Sequence, residues 1–278
     1  MNRKPVQVLA VCSGKGGVGK TNVATNIAVA LGALERQVYL LDADVSLANV
    51  DVLLGMQPRR NLSHVVRGEA DIASTVLTGP NDIRVVPASS GDFSMTDLPS
   101  VSHAAIVQAF TGLSPQPDVL VADTAAGISP TVARFVSAAQ HAIVVVCDEP
   151  ASLTDAYALI KVFSQHYGIN RFHVVTNLSN GALSGRLLFE KLLRVSNAYL
   201  DVVLRHLGDV PRDDYLVKAV QEQRAVVDAY PKSKAGAAFL EIARAIDALP
   251  AATESSGGIE FFFEQLLTSD SCDKRMVI

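Results

Sequence analysis

The apolar positions of this chain fall in short unbroken runs, separated by stretches in which aliphatic residues recur at helical spacing. Val6–Val11, Gln37–Leu41, Ile83–Pro87, Asp118–Asp123, Ala142–Cys147, Arg171–Thr176 and Val202–Leu207 are mostly such runs. Runs of that length, with no polar alternation, predict strands covered on both faces, as in parallel sheets. Between them, Asn22–Leu31, Ser102–Leu113, Ser152–Tyr167, Ala182–Leu200, Lys218–Asp228 and Ser233–Leu249 read as helices, with Pro231 separating the last two. Leu53–Thr78 predicts short helical pieces with turns at Gly55, Pro58 and Gly68. The alternation predicts an α/β fold, a doubly wound, mostly parallel sheet with helices on both faces, as one domain over residues 1–250.

After Pro250 the pattern changes. Residues 251–258 are small and polar and read as a linker, and 269–278 as a tail. Between them, Ile259, Phe262, Phe263, Leu266 and Leu267 share one face and Glu260, Glu264 and Gln265 the other, which predicts an amphipathic C-terminal helix over 259–268. Such a helix either packs on its own domain or lies at a membrane surface. Two glutamates where an anchor usually carries lysines make any membrane contact transient and conditional.

Composition narrows the classes. Of 278 residues, 49% are apolar and 19% charged, which suits a large buried core. A net charge of −4 gives no general basic surface, so no strong direct nucleic-acid binding is expected. Cys12, Cys147 and Cys272 lack metal-ligand spacing, and the first two fall at the ends of predicted strands as buried thiols. Met1–Pro5 is too short and polar for a signal peptide, and no apolar run approaches the ~20 residues that span a bilayer. A reducing cytoplasm is the expected compartment.

The chemistry centres on Ser13-Gly14-Lys15-Gly16-Gly17-Val18-Gly19-Lys20-Thr21, placed between the first strand and the first helix. A glycine-rich turn in that position lets backbone N–H groups face phosphates, and the helix N-terminus adds a favourable dipole. Gly14, Gly16, Gly17, Val18, Gly19 and Asn22 would surround the phosphates, Lys20 would reach the β- and γ-phosphates, and Thr21 would hold Mg²⁺. Asp42 and Asp44 follow the second predicted strand, where ligands bind in parallel sheets, although Asp42 reads equally well as a turn former. Asp123 closes a buried strand and suits Mg²⁺ held through water, with Thr124–Gly127 after it.

The second lysine, Lys15, gives the loop the pattern Lys-Gly-Gly-x-Gly-Lys-Thr, by which the chain resembles the deviant Walker A ATPases of the MinD and ParA type. The resemblance implies an ATP-driven homodimer in which Lys15 reaches the partner subunit's nucleotide, with ATP and Mg²⁺ bound and ATP slowly hydrolysed. It also implies that Asp42 and Asp44 belong to a first switch, Asp44 orienting the attacking water. Thr124–Gly127 would form the second switch, its glycine N–H sensing the γ-phosphate. Asn177 would read the adenine edge, and Pro211, Arg212 and Asp213 would contact adenine or ribose. Leu40–Asp44 with Leu54-Gly55, Asp123–Gly127, Val146–Pro150, Thr154–Lys161 and Glu260–Phe262 resemble the flagellar-number regulators of that family, the FlhG/FleN group. This implies action on an NtrC-type flagellar transcription activator and on an FlhF-type GTPase, in the cytoplasm or at the inner membrane. Ser46 departs from the glycine of that pattern.

Two other readings stay open. One is a MinD- or ParA-like positioning or partition ATPase. The other is a regulatory module that acts by nucleotide occupancy with negligible turnover. A nitrogenase-like reductase is excluded, because no cysteine sits where a bridging cluster would need it.

Overall fold

The computed structural model describes residues 5–44, 48–88 and 100–250. Ser46, Cys272, the linker, the C-terminal amphipathic helix over 259–268 and the tail lie outside them. In chain order the elements are β1 (Gln7–Cys12), α1 (Lys20–Ala33), β2 (Val38–Ala43), α2 (Val50–Leu53), α3 (Leu62–Val66), β3 (Leu77–Thr78), β4 (Arg84–Val86), α4 (Ser100–Ala109) and β5 (Val119–Thr124). There follow α5 (Pro130–Ser137), β6 (His141–Cys147), α6 (Pro150–Tyr167), β7 (Arg171–Ser179), α7 (Ala182–Tyr199), β8 (Val203–Pro211), α8 (Asp214–Gln221), α9 (Val226–Ala229) and α10 (Lys234–Asp247).

The strands form one sheet in the order β3-β4-β2-β5-β1-β6-β7-β8. Only the short edge strand β3 runs antiparallel to its neighbour. β1, β2 and β5 are buried at every position, which accounts for their unbroken apolar runs. The alternation along β1 serves two opposite cores: Leu9 and Val11 pack with α1, α9 and α10 on one face, and Ala10 and Cys12 with α5, α6 and α7 on the other. Phe135, Phe163 and Phe239 are fully buried anchors of α5, α6 and α10. Each contributes roughly 2–3 kcal/mol by leaving water.

Polar residues pin the helix that opens the site. Asn26 of α1 is buried, and its Oδ1 accepts from Val227 N at 3.2 Å, tying α1 to α9. Cys12 and Cys147 are buried free thiols, and burial pushes Cys12 up to about 12. Among the described residues no helix is long and apolar enough to cross a membrane.

Two expectations are corrected. The helix expected over Lys218–Asp228 is two helices, α8 and α9, because α8 starts earlier on its Asp213 cap and ends at Gln221, with the chain turning at Gln223, whose φ is +54°. The strand expected over Val202–Leu207 runs on to Pro211. Gly208, Asp209, Val210 and Pro211 keep pairing with β7 through register shifts after Val174 and after Asn177. This continuation brings Asp209 beside the end of β7.

Candidate active site

The site forms where β1, β2 and β5 end. β1 delivers the chain into the 13–19 loop, and Lys20 opens α1. Gly14 is packed so closely on α6 that a Cβ there would lie 2.2 Å from the Asp155 carbonyl oxygen. Gly19 has φ +83°, and its position would put a Cβ 2.4 Å from Asn177 Nδ2. No other residue type satisfies both demands at these two places.

Parallel pairing of β2 with β5 sets Asp42 opposite Asp123. Both are 1% exposed. Burial first, and Asp123 second, push Asp42 up to about 8, against donation from three backbone N–H groups. Its Oδ1 accepts from Asp44 N at 3.1 Å, and its Oδ2 accepts from Asn49 N at 3.0 Å and Val50 N at 3.2 Å. The turn-forming role of Asp42 and its place in the site are therefore the same arrangement. Burial likewise raises Asp123, opposed by Lys20 and by the Thr21 hydroxyl. Lys20 Nζ donates to Asp123 Oδ1 at 2.5 Å, while Asp123 Oδ2 is buried with no hydrogen-bond partner.

These residues fit Mg²⁺. A buried, unpartnered carboxylate oxygen beside a second carboxylate and a threonine hydroxyl makes an all-oxygen set suited to a hard cation. Asp42, Asp123 and Thr21 would hold it.

Ser13, Lys15, Gly16, Gly17, Gly19, Lys20, Thr21, Asn22, Asp44, Asn49 and Ala125 line a cleft of about 510 Å³. Asp44 thus lines the same cleft as the loop. Asn177, Pro211, Arg212 and Asp213 are not in that lining. Asn177 is 2% exposed and donates its Nδ2 to Val18 O at 2.8 Å, bracing the loop from below, and its Oδ1 is buried without a partner. Arg212 Nε donates to Leu178 O at 3.0 Å. Asp213 caps α8, accepting from Tyr215 N and Ala235 N, and its pKa is lowered, with burial opposing those two donors. Pro211 ends β8. Asn177 lies on β7 against the phosphate loop, whereas Pro211, Arg212 and Asp213 follow at the end of β8.

Two contacts had no local signal. Lys15 Nζ forms an ion pair with Glu149 Oε2 at the N-terminus of α6. Gly127, with φ +97°, donates its N–H to Ser13 O at 2.8 Å, so the second switch is tied to the loop's first residue. Sensing a γ-phosphate with that N–H requires this bond to open.

A buried strand feeding a phosphate loop, a helix opened by Lys20-Thr21 and two carboxylates on adjacent strand ends define a P-loop nucleoside triphosphatase. The family model ParA, described as NUBPL iron-transfer P-loop NTPase, matches residues 4–247, and the chain belongs to that family, with the MinD/ParA fold, and is an ATPase. It is 51% identical over 263 residues to the antiactivator FleN of Pseudomonas aeruginosa, covering 95% of this chain and 94% of that one. It is 31% identical to the flagellum site-determining protein YlxH of Helicobacter pylori, over 80% of this chain and 76% of that one. The septum site-determining protein MinD of Pyrococcus horikoshii, solved with Mg-ADP, shares the fold at TM-score 0.70 and 23% identity, covering 87% of this chain and 96% of that one.

Proposed function

We propose that this chain is an ATP-dependent dimerising switch that limits flagellar number by restraining an NtrC-type transcription activator, with an FlhF-type GTPase as a second partner. The observation that carries this is the 51% identity to the antiactivator FleN along nearly the whole of both chains. The likeness to the flagellum site-determining protein YlxH supports the flagellar setting. The expected place is the cytoplasm, with transient inner-membrane contact through residues 259–268.

The reaction transfers the γ-phosphoryl group of ATP from ADP to water, giving ADP and inorganic phosphate. Loop N–H groups and Lys20 bind the phosphates, and Lys20 exchanges its Asp123 partner for them. Asp44, at the cleft wall, orients the attacking water. Bound Mg²⁺ supplies charge neutralisation along the phosphates. Lys15 leaves Glu149 and reaches across to the second subunit's nucleotide, so ATP holds two chains together until it is cleaved.

The test is complementation in a bacterium lacking its own antiactivator of this type, counting flagella per cell. Wild type should restore the normal number, and Lys20→Ala and Lys15→Ala should leave the cells over-flagellated. Restoration by Lys15→Ala would reject the dimer switch, and failure of wild type would reject the flagellar role.

A further inference from the structure

We infer that Asp209 is a positioning residue for the phosphate loop, acting through Asn177 from the far side of the sheet. Asp209 lies on the late part of β8 and bridges two hydroxyls of β7. Its Oδ1 accepts from Thr176 Oγ1 at 2.9 Å, and its Oδ2 accepts from Ser179 Oγ at 2.7 Å. Those two residues bracket Asn177-Leu178, the place where the pairing of β7 with β8 slips.

The bracketed segment is strained and held open. Leu178 has φ +56°, a left-handed conformation that a branched apolar residue adopts only under constraint. Arg212 supports it from the next turn, N to Ser179 O at 2.9 Å and Nε to Leu178 O at 3.0 Å. The kink delivers the Asn177 amide beneath the loop, where Nδ2 meets Val18 O at 2.8 Å in the space that a side chain at Gly19 would fill. Without the two hydroxyl anchors, the Arg212 bonds alone would hold Leu178 in that backbone, and relaxation toward an ordinary strand would turn Asn177 away.

The carboxylate is itself fixed in place. With its own proton given to Asp209, the Thr176 oxygen is left to accept from His206 Nε2 at 3.1 Å, and the His206 ring stacks on Phe189 of α7. Position 185 of α7 is glycine because a Cβ there would lie 2.0 Å from Asp209 Oδ1 and 2.7 Å from Thr176 Oγ1. The helix backbone thus lies directly over the hydrogen-bonded pair and covers one side of it, leaving Thr176 buried and Asp209 half-buried. The path runs from α7 through Asp209 and Asn177 to Val18. It needs only the phosphate loop and stands whatever the partner of this ATPase is.

A double-mutant cycle on the full chain tests it, with Asp209→Ala, Asn177→Ala and both together, reading the Kd of a fluorescent ATP analogue and kcat at saturating ATP. Each single variant should weaken nucleotide binding about tenfold, and the pair should be no weaker than Asn177→Ala alone. Asp209→Asn, which keeps one acceptor, should recover part of the affinity. Additive losses, or an unchanged Kd in either single variant, would overturn the inference. Should Asp209→Ala fail to fold, Thr176→Val and Ser179→Ala each remove one arm and are read in the same cycle. A merely structural Asp209 would lower thermal stability while leaving the Kd unmoved.

Discussion

Lys15, the residue that sets this phosphate loop apart, is paired within its own chain to Glu149 at the start of α6. The loop residue beside it, Gly14, is seated on the backbone of the same helix. The hydrogen bond to Glu149 raises Lys15, and the bond to Lys15 lowers Glu149, so both remain charged across the physiological range. The loop's distinctive cation is therefore occupied in the single chain, and in the proposed dimer it would exchange one anion for another.

Glu149→Gln should remove the competing anion and favour the ATP-bound dimer. Both groups are well exposed, at 35% and 52%, so the gain is small, roughly two- to fivefold in dimer affinity at low salt. It should fade toward 0.5 M salt, which screens the competing pair in the wild type. Sedimentation velocity with a non-hydrolysable analogue measures it, and weaker dimerisation in Glu149→Gln would count against the exchange.

Asp44 lines the cleft beside the loop, and its charge helps to raise Asp123 of the buried Lys20–Asp123 pair. Asp44→Ala should leave the Kd for ATP within a few-fold of wild type and slow phosphate release roughly a hundredfold. Equilibrium binding and a phosphate-release assay separate the two effects. A loss of binding that matches the loss of rate would give Asp44 a different role.

Gly14 and Gly16 share a loop but differ in their room. A methyl group on Gly14 meets the Asp155 carbonyl, whereas one on Gly16 meets nothing within 4 Å. In nucleotide-free protein Gly14→Ala should cost on the order of 2 kcal/mol or more, and Gly16→Ala should stay near neutral. Chemical denaturation curves decide this, and equal costs would show that the loop does not rest on α6.

The opposite end of the sheet carries an acid-sensitive pair. His141 and His173 meet edge to face at 5.2 Å, with His173 Nδ1 and His141 Nε2 buried and unpartnered. Burial first, then His141 and Arg205, lower His173 to about 4. The unfolded chain therefore takes up the proton before the folded one does. Stability from this site is complete above the ordinary value near 6.5 and is lost as pH falls toward 4, by roughly 2–3 kcal/mol. His173→Leu should flatten that part of the pH profile of thermal unfolding, and an unaltered slope between pH 6.5 and 4 would refute the assignment.

The parts of the fold and site that could be read from sequence are those encoded within a few residues. Gly14 to Thr21 lies between a strand and a helix, and Asp42 and Asp123 each close an apolar run, so order along the chain alone assigned them to one end of the sheet. The parallel register that then sets Asp42 beside Asp123 is a consequence of strand order. What escaped is non-local: Lys15 and Glu149 are 134 residues apart, and Thr176 and Asp209 are 33 apart across two strands. Asp213 illustrates a different difficulty. An aspartate after a strand suits both a ligand contact and a helix cap, and here its carboxylate is occupied by Tyr215 N and Ala235 N. The break between α8 and α9 was hidden because the apolar spacing continues through Gln223, whose positive φ no composition rule announces.

The most direct test of the switch is the mass in solution, by light scattering, of wild type and Lys15→Ala, each with ADP and with a non-hydrolysable ATP analogue. The expected result is a monomer with ADP and a dimer with the analogue for wild type, and a monomer under both conditions for Lys15→Ala. A wild-type mass that does not depend on the nucleotide, or a Lys15→Ala protein that still dimerises with the analogue, would contradict the role given to Lys15.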